Sequence, residues 1–188
     1  MKDKQFIEEM VEKGKRAGER VKASFNDLSL AQLDWRPANE SWSIGQCLDH
    51  LIIADCLYFP VLKKITEGKY RMNFWERWSP FSGLFGIILL DIVKEKQRRR
   101  SPTARILIPP DTTIDAVILE RFHKHLDSLL GYIAACSGHN IDRIWISSPV
   151  SRFVTYSLRK AILILVEHEH RHINQALRVR AAKDFPAS

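Results

Sequence analysis

The sequence predicts an all-α fold, a four-helix bundle forming one domain over residues 1–188. Three observations predict it. Apolar residues recur at three- and four-residue spacings through long segments. Two Ser-x-x-Gln capping boxes stand where helices should open. No stretch shows a sustained apolar–polar alternation or an internal repeat. With 45% hydrophobic and 27% charged residues, the composition is that of an ordinary globular protein, long enough to bury a substantial core.

Taken in order, residues 4–25 place Phe6, Ile7, Met10, Val11, Ala17, Val21 and Phe25 on one stripe among Glu, Lys and Arg, as an amphipathic helix requires. "SLAQL" offers Ser29 and Gln32 as a capping box for one short turn, and "WRPANESW" reads as loop. Ser43 and Gln46 open a second long helix that runs through "CLDHLIIADCLYF" to about Gly68, with a kink at Pro60. Residues 69–110 combine prolines, an aromatic cluster "NFWERWSPF" (73–81), an apolar run (80–93) and a basic run "KEKQRRR" (94–100). A connection of this length carries short helices of its own or serves function. The aromatic cluster reads as cover for a core edge, with a lid as the alternative. A third long helix is expected over 113–137, stopped by "SGHN". "IWISSPVSRFVTY" reads as a short extended connection, and the last helix as 156–182.

The formal charge of +7 raises the question of nucleic acid, but no recognised nucleic-acid motif accompanies the basic run, which reads as a solvated helix end or loop able to attract an anionic substrate. The apolar run is shorter than the roughly 20 residues that span a bilayer, so no membrane partner is expected. The N-terminal stretch is charged and helix-periodic, unlike a signal peptide, and a cytoplasmic location is expected. Cys47, Cys56 and Cys136 form no CxxC pair and read as buried structural thiols.

The chemistry concentrates in "LVEHEHRHINQAL" (165–177). At about 100° per residue, His168 and His172 stand one above the other in the stripe of Ala161, Leu165, Ala176 and Val179. His170 points to the far side and reads as solvated. On the second helix, His50 shares the inward face of Cys47, Ala54, Leu57 and Val61. His123 and His125, two apart, cannot share a face and read as surface residues. Buried imidazoles cost free energy unless their nitrogens are paired. A metal ion is one shared partner for His50, His168 and His172, and zinc, copper, iron and nickel all accept imidazole. Three protein ligands leave a coordination position open, the mark of a reactive site. Core histidines hydrogen-bonded to one another or to backbone are the other reading of the same pattern. Gln175, in the histidine stripe, is a candidate to support a ligand imidazole, and Trp42 reads as a packing residue at the helix entrance.

"LSLAQLDWRPANESWSIGQCLDHL" followed by "HEHRHINQALRV" resembles the DinB-like, or YfiT-like, superfamily of metal-dependent proteins. The resemblance implies a four-helix bundle, often homodimeric, that holds one divalent metal ion (Zn, Ni, Fe or Mn) on His50, His168 and His172. It implies a small-molecule substrate and no nucleic acid. Characterised members include transferases using low-molecular-weight thiols, a mycothiol-dependent isomerase and metal-dependent hydrolases. Residues 69–110 match no thiol-binding segment of the family.

Three functions follow. In a thiol-dependent S-transferase, the metal lowers the pKa of a low-molecular-weight thiol, and residues 94–100 or Arg171 hold its carboxylates. In a hydrolase, a carboxylate near the metal serves as general base, and Glu169, Glu167 and Asp49 are the candidates. In a non-catalytic metal-binding or assembly protein, residues 81–93 form a dimer or partner surface.

Overall fold

The computed structural model describes residues 2–38, 40–78, 107–109 and 114–187. Helix α1 (Lys2–Phe25) is followed by the short α2 (Leu30–Asp34), then α3 (Ile44–Cys56), α4 (Phe59–Thr66) and α5 (Phe74–Trp78). Helix α6 (Ile118–Ala135) ends in a 3₁₀ turn, Cys136–Gly138. Strands β1 (Trp145–Ser148) and β2 (Ser151–Ser157) lead into α7 (Leu158–Arg180). Among the described residues the longest helices are α1, α3, α6 and α7, and they bundle together: α1 and α3 each pack against both α6 and α7. The helices that carry His50 and the His168–His172 pair are therefore neighbours.

Both expected capping boxes are present. The Ser29 hydroxyl accepts the Gln32 amide N–H and the Gln32 side chain accepts that of Ser29; Ser43 and Gln46 do the same at α3. The second box fixes the start of α3 and hence the phase of His50. The expected kink at Pro60 lies slightly earlier. The helix breaks at Leu57–Tyr58, and α4 leaves at 44° to α3. Pro60 sits in the first turn of α4, where its missing N–H deprives no carbonyl of a partner.

Apolar side chains of all four long helices meet in one core, including Val21 and Phe25, Leu48 and Leu51, Phe122 and Leu129, Ile162 and Ile173. Helix α1 reaches α6 closely because Gly14 and Gly18 face it. A Cβ on Gly14 would stand 2.4 Å from Leu130 Cδ2, and one on Gly18 would stand 2.9 Å from Leu126 Cδ2. Where no Cβ exists, those leucines lie directly on the α1 backbone.

The extended connection before the last helix is a paired hairpin. Trp145 stands opposite Ser157 and Ile146 opposite Tyr156, with an irregularity at Ser147–Ser148 beside the Pro149–Val150 turn. Ile146 and Tyr156 face the core, and the alternation runs for too few residues to announce a strand in sequence. The third helix also starts later than expected, at Ile118. Helix α5 docks on the hairpin: one Glu76 carboxylate oxygen accepts from the Ser147 amide and hydroxyl, both at 2.9 Å. Phe74, Trp75 and Trp78 stay exposed, so they do not cover a core edge. The rest of that cluster, the apolar run and the basic run lie outside the described residues. Among the described residues, no single helix is long and apolar enough to cross a membrane.

Candidate metal centre

His50, His168 and His172 converge, and one ring nitrogen from each lies within 4.8 Å of the others. His50 and His172 rings are 4.4 Å apart, His168 and His172 4.6 Å, and His50 and His168 5.0 Å. His50 Nε2 faces His168 Nε2 at 3.2 Å. His50 Nδ1 lies 2.6 Å from the Leu107 carbonyl oxygen, which can only accept. The Nδ1 proton of a neutral His50 is thereby assigned, and the Nε2 lone pair is left pointing at the other two rings.

All three imidazoles are held neutral. Burial pulls His168 down to about 3, helped by the neighbouring His50 and by Arg171. His172 falls well below the usual histidine range through burial, then through His168, His50 and Arg171; the Gln175 amide partly offsets this. His50 is lowered by burial, against the opposing effect of its Leu107 bond. His168 is densely surrounded yet keeps a partly exposed edge, because it opens on a cavity.

The donor set fits a divalent metal ion. Three neutral imidazoles each carry one lone-pair nitrogen, their ring nitrogens converge, and His172 Nδ1 is buried with no hydrogen-bond partner. Direct hydrogen bonding of the histidines to one another pairs only His50 with His168, and leaves His172 Nδ1 without a partner. Among the described residues no fourth His, Cys, Asp or Glu joins the group. Trp42, which sequence reading treats as packing, covers one side: its ring lies 5.7 Å from His172 in a near-parallel stack and 4.8 Å from His50. Its place ahead of a capping serine was the signal, since that position projects over the first turns of α3.

The DinB superfamily model matches residues 14–176 of this sequence. The chain belongs to the DinB superfamily. No curated protein and no solved structure matches it. The match runs from α1 through most of α7, so every element of this DinB centre lies inside it.

The other sequence-predicted residues fall elsewhere. Glu169 is fully buried, turned about 100° around α7 from His168, against Asp55 and His125. Glu167 binds Lys13 Nζ at 2.5 Å, and Asp49 binds Arg121 at 3.4 Å. His125 is buried, not superficial. Its Nε2 lies 3.2 Å from Asp55 Oδ2, and its Nδ1 lies 3.8 Å from Cys56 Sγ. His170 is likewise buried, against α1: its Nε2 is 3.1 Å from the Lys13 carbonyl and its Nδ1 3.4 Å from Arg20. Of the cysteines, Cys47 and Cys136 are buried as expected, whereas Cys56 is exposed.

Asp55, Glu169 and His125 form a second polar cluster that joins α3, α6 and α7. Burial raises Asp55 to about 7 and Glu169 well above the carboxylate range, the latter reinforced by the Asp55 charge. Neither Glu169 oxygen nor Asp55 Oδ1 has a further partner among the described residues, so the two carboxyls have only each other to answer. A proton kept on Glu169 lets it donate to Asp55, whose other oxygen accepts from His125. Sequence reading missed this cluster although its signal was present. Glu169 interrupts the stripe of Val166 and Ile173, and His125 sits between Phe122 and Leu129 at helical spacing.

Proposed function

We propose that this chain is a divalent-metal-dependent enzyme and that thiol-dependent S-transfer is its reaction. One observation carries the reading: three neutral imidazoles from two adjacent helices, two buried and His168 partly exposed, bring one nitrogen each within 4.8 Å of the others, with no fourth His, Cys, Asp or Glu among the described residues. His50, His168 and His172 would hold the ion, which when bound supplies Lewis acidity to lower a thiol's pKa.

The chain's own groups support a thiolate there. Leu107 fixes the tautomer of His50, and Trp42 shields one side from water. Arg171 lowers the pKa of all three histidines, so its positive charge is felt at the site and favours an anion. The alternative, metal-assisted hydrolysis, requires a carboxylate base beside the metal, and the three carboxylates nearest in sequence are engaged elsewhere. That difference favours transfer over hydrolysis. In the same proposal the protein acts as a cytoplasmic homodimer on a small molecule, without nucleic acid or membrane; light scattering on the purified protein tests the dimer.

The test of the chemistry is to load metal-free protein with Zn, Ni, Fe or Mn and add bacillithiol, glutathione or mycothiol with an alkylating electrophile. Thiol should disappear faster than with His168→Ala. Equal rates for every metal and thiol overturn the transferase. A folded wild-type protein that takes up no metal overturns the enzyme and leaves a non-catalytic assembly role.

A further inference from the structure

Among the described residues, the trio meets a cavity at His168. Trp42 lies over His50 and His172, whereas His168 alone of the three enters the wall of a cavity of about 90 Å³ between the end of α3, the hairpin turn and α7. Ala54 and Leu57 line it from the α3 side, Val150 from the turn, and Ile164 and Leu165 from α7. The polar side chains in that wall other than His168 are already engaged. The Tyr58 hydroxyl pairs with Tyr156 at 2.7 Å, Asp55 receives His125, and the Ser148 hydroxyl accepts the Val150 amide at 3.4 Å. What the cavity presents to a guest is hydrocarbon, with one imidazole at its edge.

Its size sets a limit. A cavity of about 150 Å³ holds the six carbons of benzene, so 90 Å³ corresponds to about four carbons. A complete peptide-like or sugar-bearing thiol cannot enter; its polar body has to lie outside.

Resting on the reading of the trio as a metal-dependent site, we propose that this cavity is its specificity pocket, and that it takes a short aliphatic group of about four carbons attached to the atom that approaches the metal. The pocket selects by length: each methylene placed inside leaves water, and the first one beyond the mouth does not.

The test uses the full chain loaded with Co(II), whose visible spectrum reports ligand binding. Straight-chain thiols from ethanethiol to hexanethiol, and in parallel straight-chain carboxylates, are titrated to equilibrium. Affinity in one series should rise roughly fourfold per methylene up to about four carbons and then level off. The series that responds tells whether the chain enters on a thiol or on an acyl partner. Ala54→Leu, which fills the cavity, should flatten that series while leaving the Co(II) spectrum unchanged. Leu57→Phe, at a less buried part of the wall, provides the same test should Ala54→Leu fail to fold. Flat series in the wild type, or slopes unaltered by both variants, overturn the pocket while leaving the metal site standing. A wild-type protein with no more Co(II) absorbance than His168→Ala overturns the metal reading instead. In that event the pocket is judged in metal-free protein. Butan-1-ol should shift the methyl resonances of Ala54, Leu57, Val150 and Ile164 saturably, and no shift overturns it.

Discussion

Two buried polar clusters share α7 one residue apart, and they are built on opposite rules. Around Asp55, Glu169 and His125, protons are internal: one carboxyl donates to the other, and the imidazole donates to the second. A single retained proton joins Glu169 to Asp55, leaving one Glu169 oxygen without a partner among the described residues, and the cluster ties three helices together. Around His50, His168 and His172 nothing internal closes the set. Three ring nitrogens face each other, and a buried His172 nitrogen has no partner. The first arrangement is stable by itself once its proton is shared, as buried polar groups usually are when paired. The second is complete only when something positive is added. A buried polar group thus has structural meaning when its partners are within the protein, and functional meaning when they are not.

The sharpest way to break this contrast is to remove one member from each cluster and measure both metal and stability. His168→Ala should lower metal affinity more than about 100-fold, beyond what altering an outer-shell partner reaches, and should change metal-free stability by less than about 1 kcal/mol, because a desolvated imidazole is lost along with its packing. Asp55→Ala should do the reverse. Leaving His125 and Glu169 buried without their acceptor costs about 3 kcal/mol in urea unfolding, with metal affinity within about threefold of wild type once the variant is folded. Equal losses of metal in both variants would mean that the two clusters form one functional unit.

Acid and base should separate the clusters next. The trio histidines titrate below their ordinary value in the folded chain, so the unfolded chain binds more protons as pH falls under about 6.5. Their contribution to stability is therefore present above about pH 6.5 and is lost from there down toward about pH 3. Asp55 moves the other way, from 3.8 to about 7. Its contribution is fully present below pH 3.8 and is lost as pH rises through about 7. In Asp55→Asn that falling limb is gone. The stability gap between wild type and variant should therefore shrink by about 2 to 3 kcal/mol from pH 5 to pH 8, since each pH unit between the two pKa values is worth about 1.4 kcal/mol. A gap independent of pH would show that Asp55 is already ionised throughout.

Much of this molecule was legible before any coordinate. Capping boxes are local chemistry, so both helix starts could be read from Ser29–Gln32 and Ser43–Gln46. Helical phase is also local, which is why the two faces of His50 and of His168–His172 could be matched. What sequence left open was adjacency: nothing local says that α3 neighbours α7, and that contact turns two stripes into one site. Burial on the other faces was misjudged for the same reason. His170 and Glu169 have charged sequence neighbours, but α7 is enclosed by α1, α3 and the hairpin, so its buried arc is wider than a single stripe. His125 was weighed against His123 alone; against Phe122 and Leu129 it falls on the core side.

Gln175 offers the finest test, because it belongs to the open cluster without being a ligand. It stands three residues after His172 on the same face of α7, and its amide favours the charged form of that ring. An amide oxygen that accepts from an imidazole N–H makes the opposite nitrogen a better donor to a metal. Gln175→Leu keeps the volume and removes the acceptor, so it should lower metal affinity by about tenfold while leaving the urea midpoint of metal-free protein nearly unchanged. Gln175→Glu should restore affinity, since a carboxylate accepts the same proton more strongly. If Gln175→Leu binds metal as wild type does, His172 is oriented by packing against Trp42 alone, and the open cluster depends on shape where the closed one depends on hydrogen bonds.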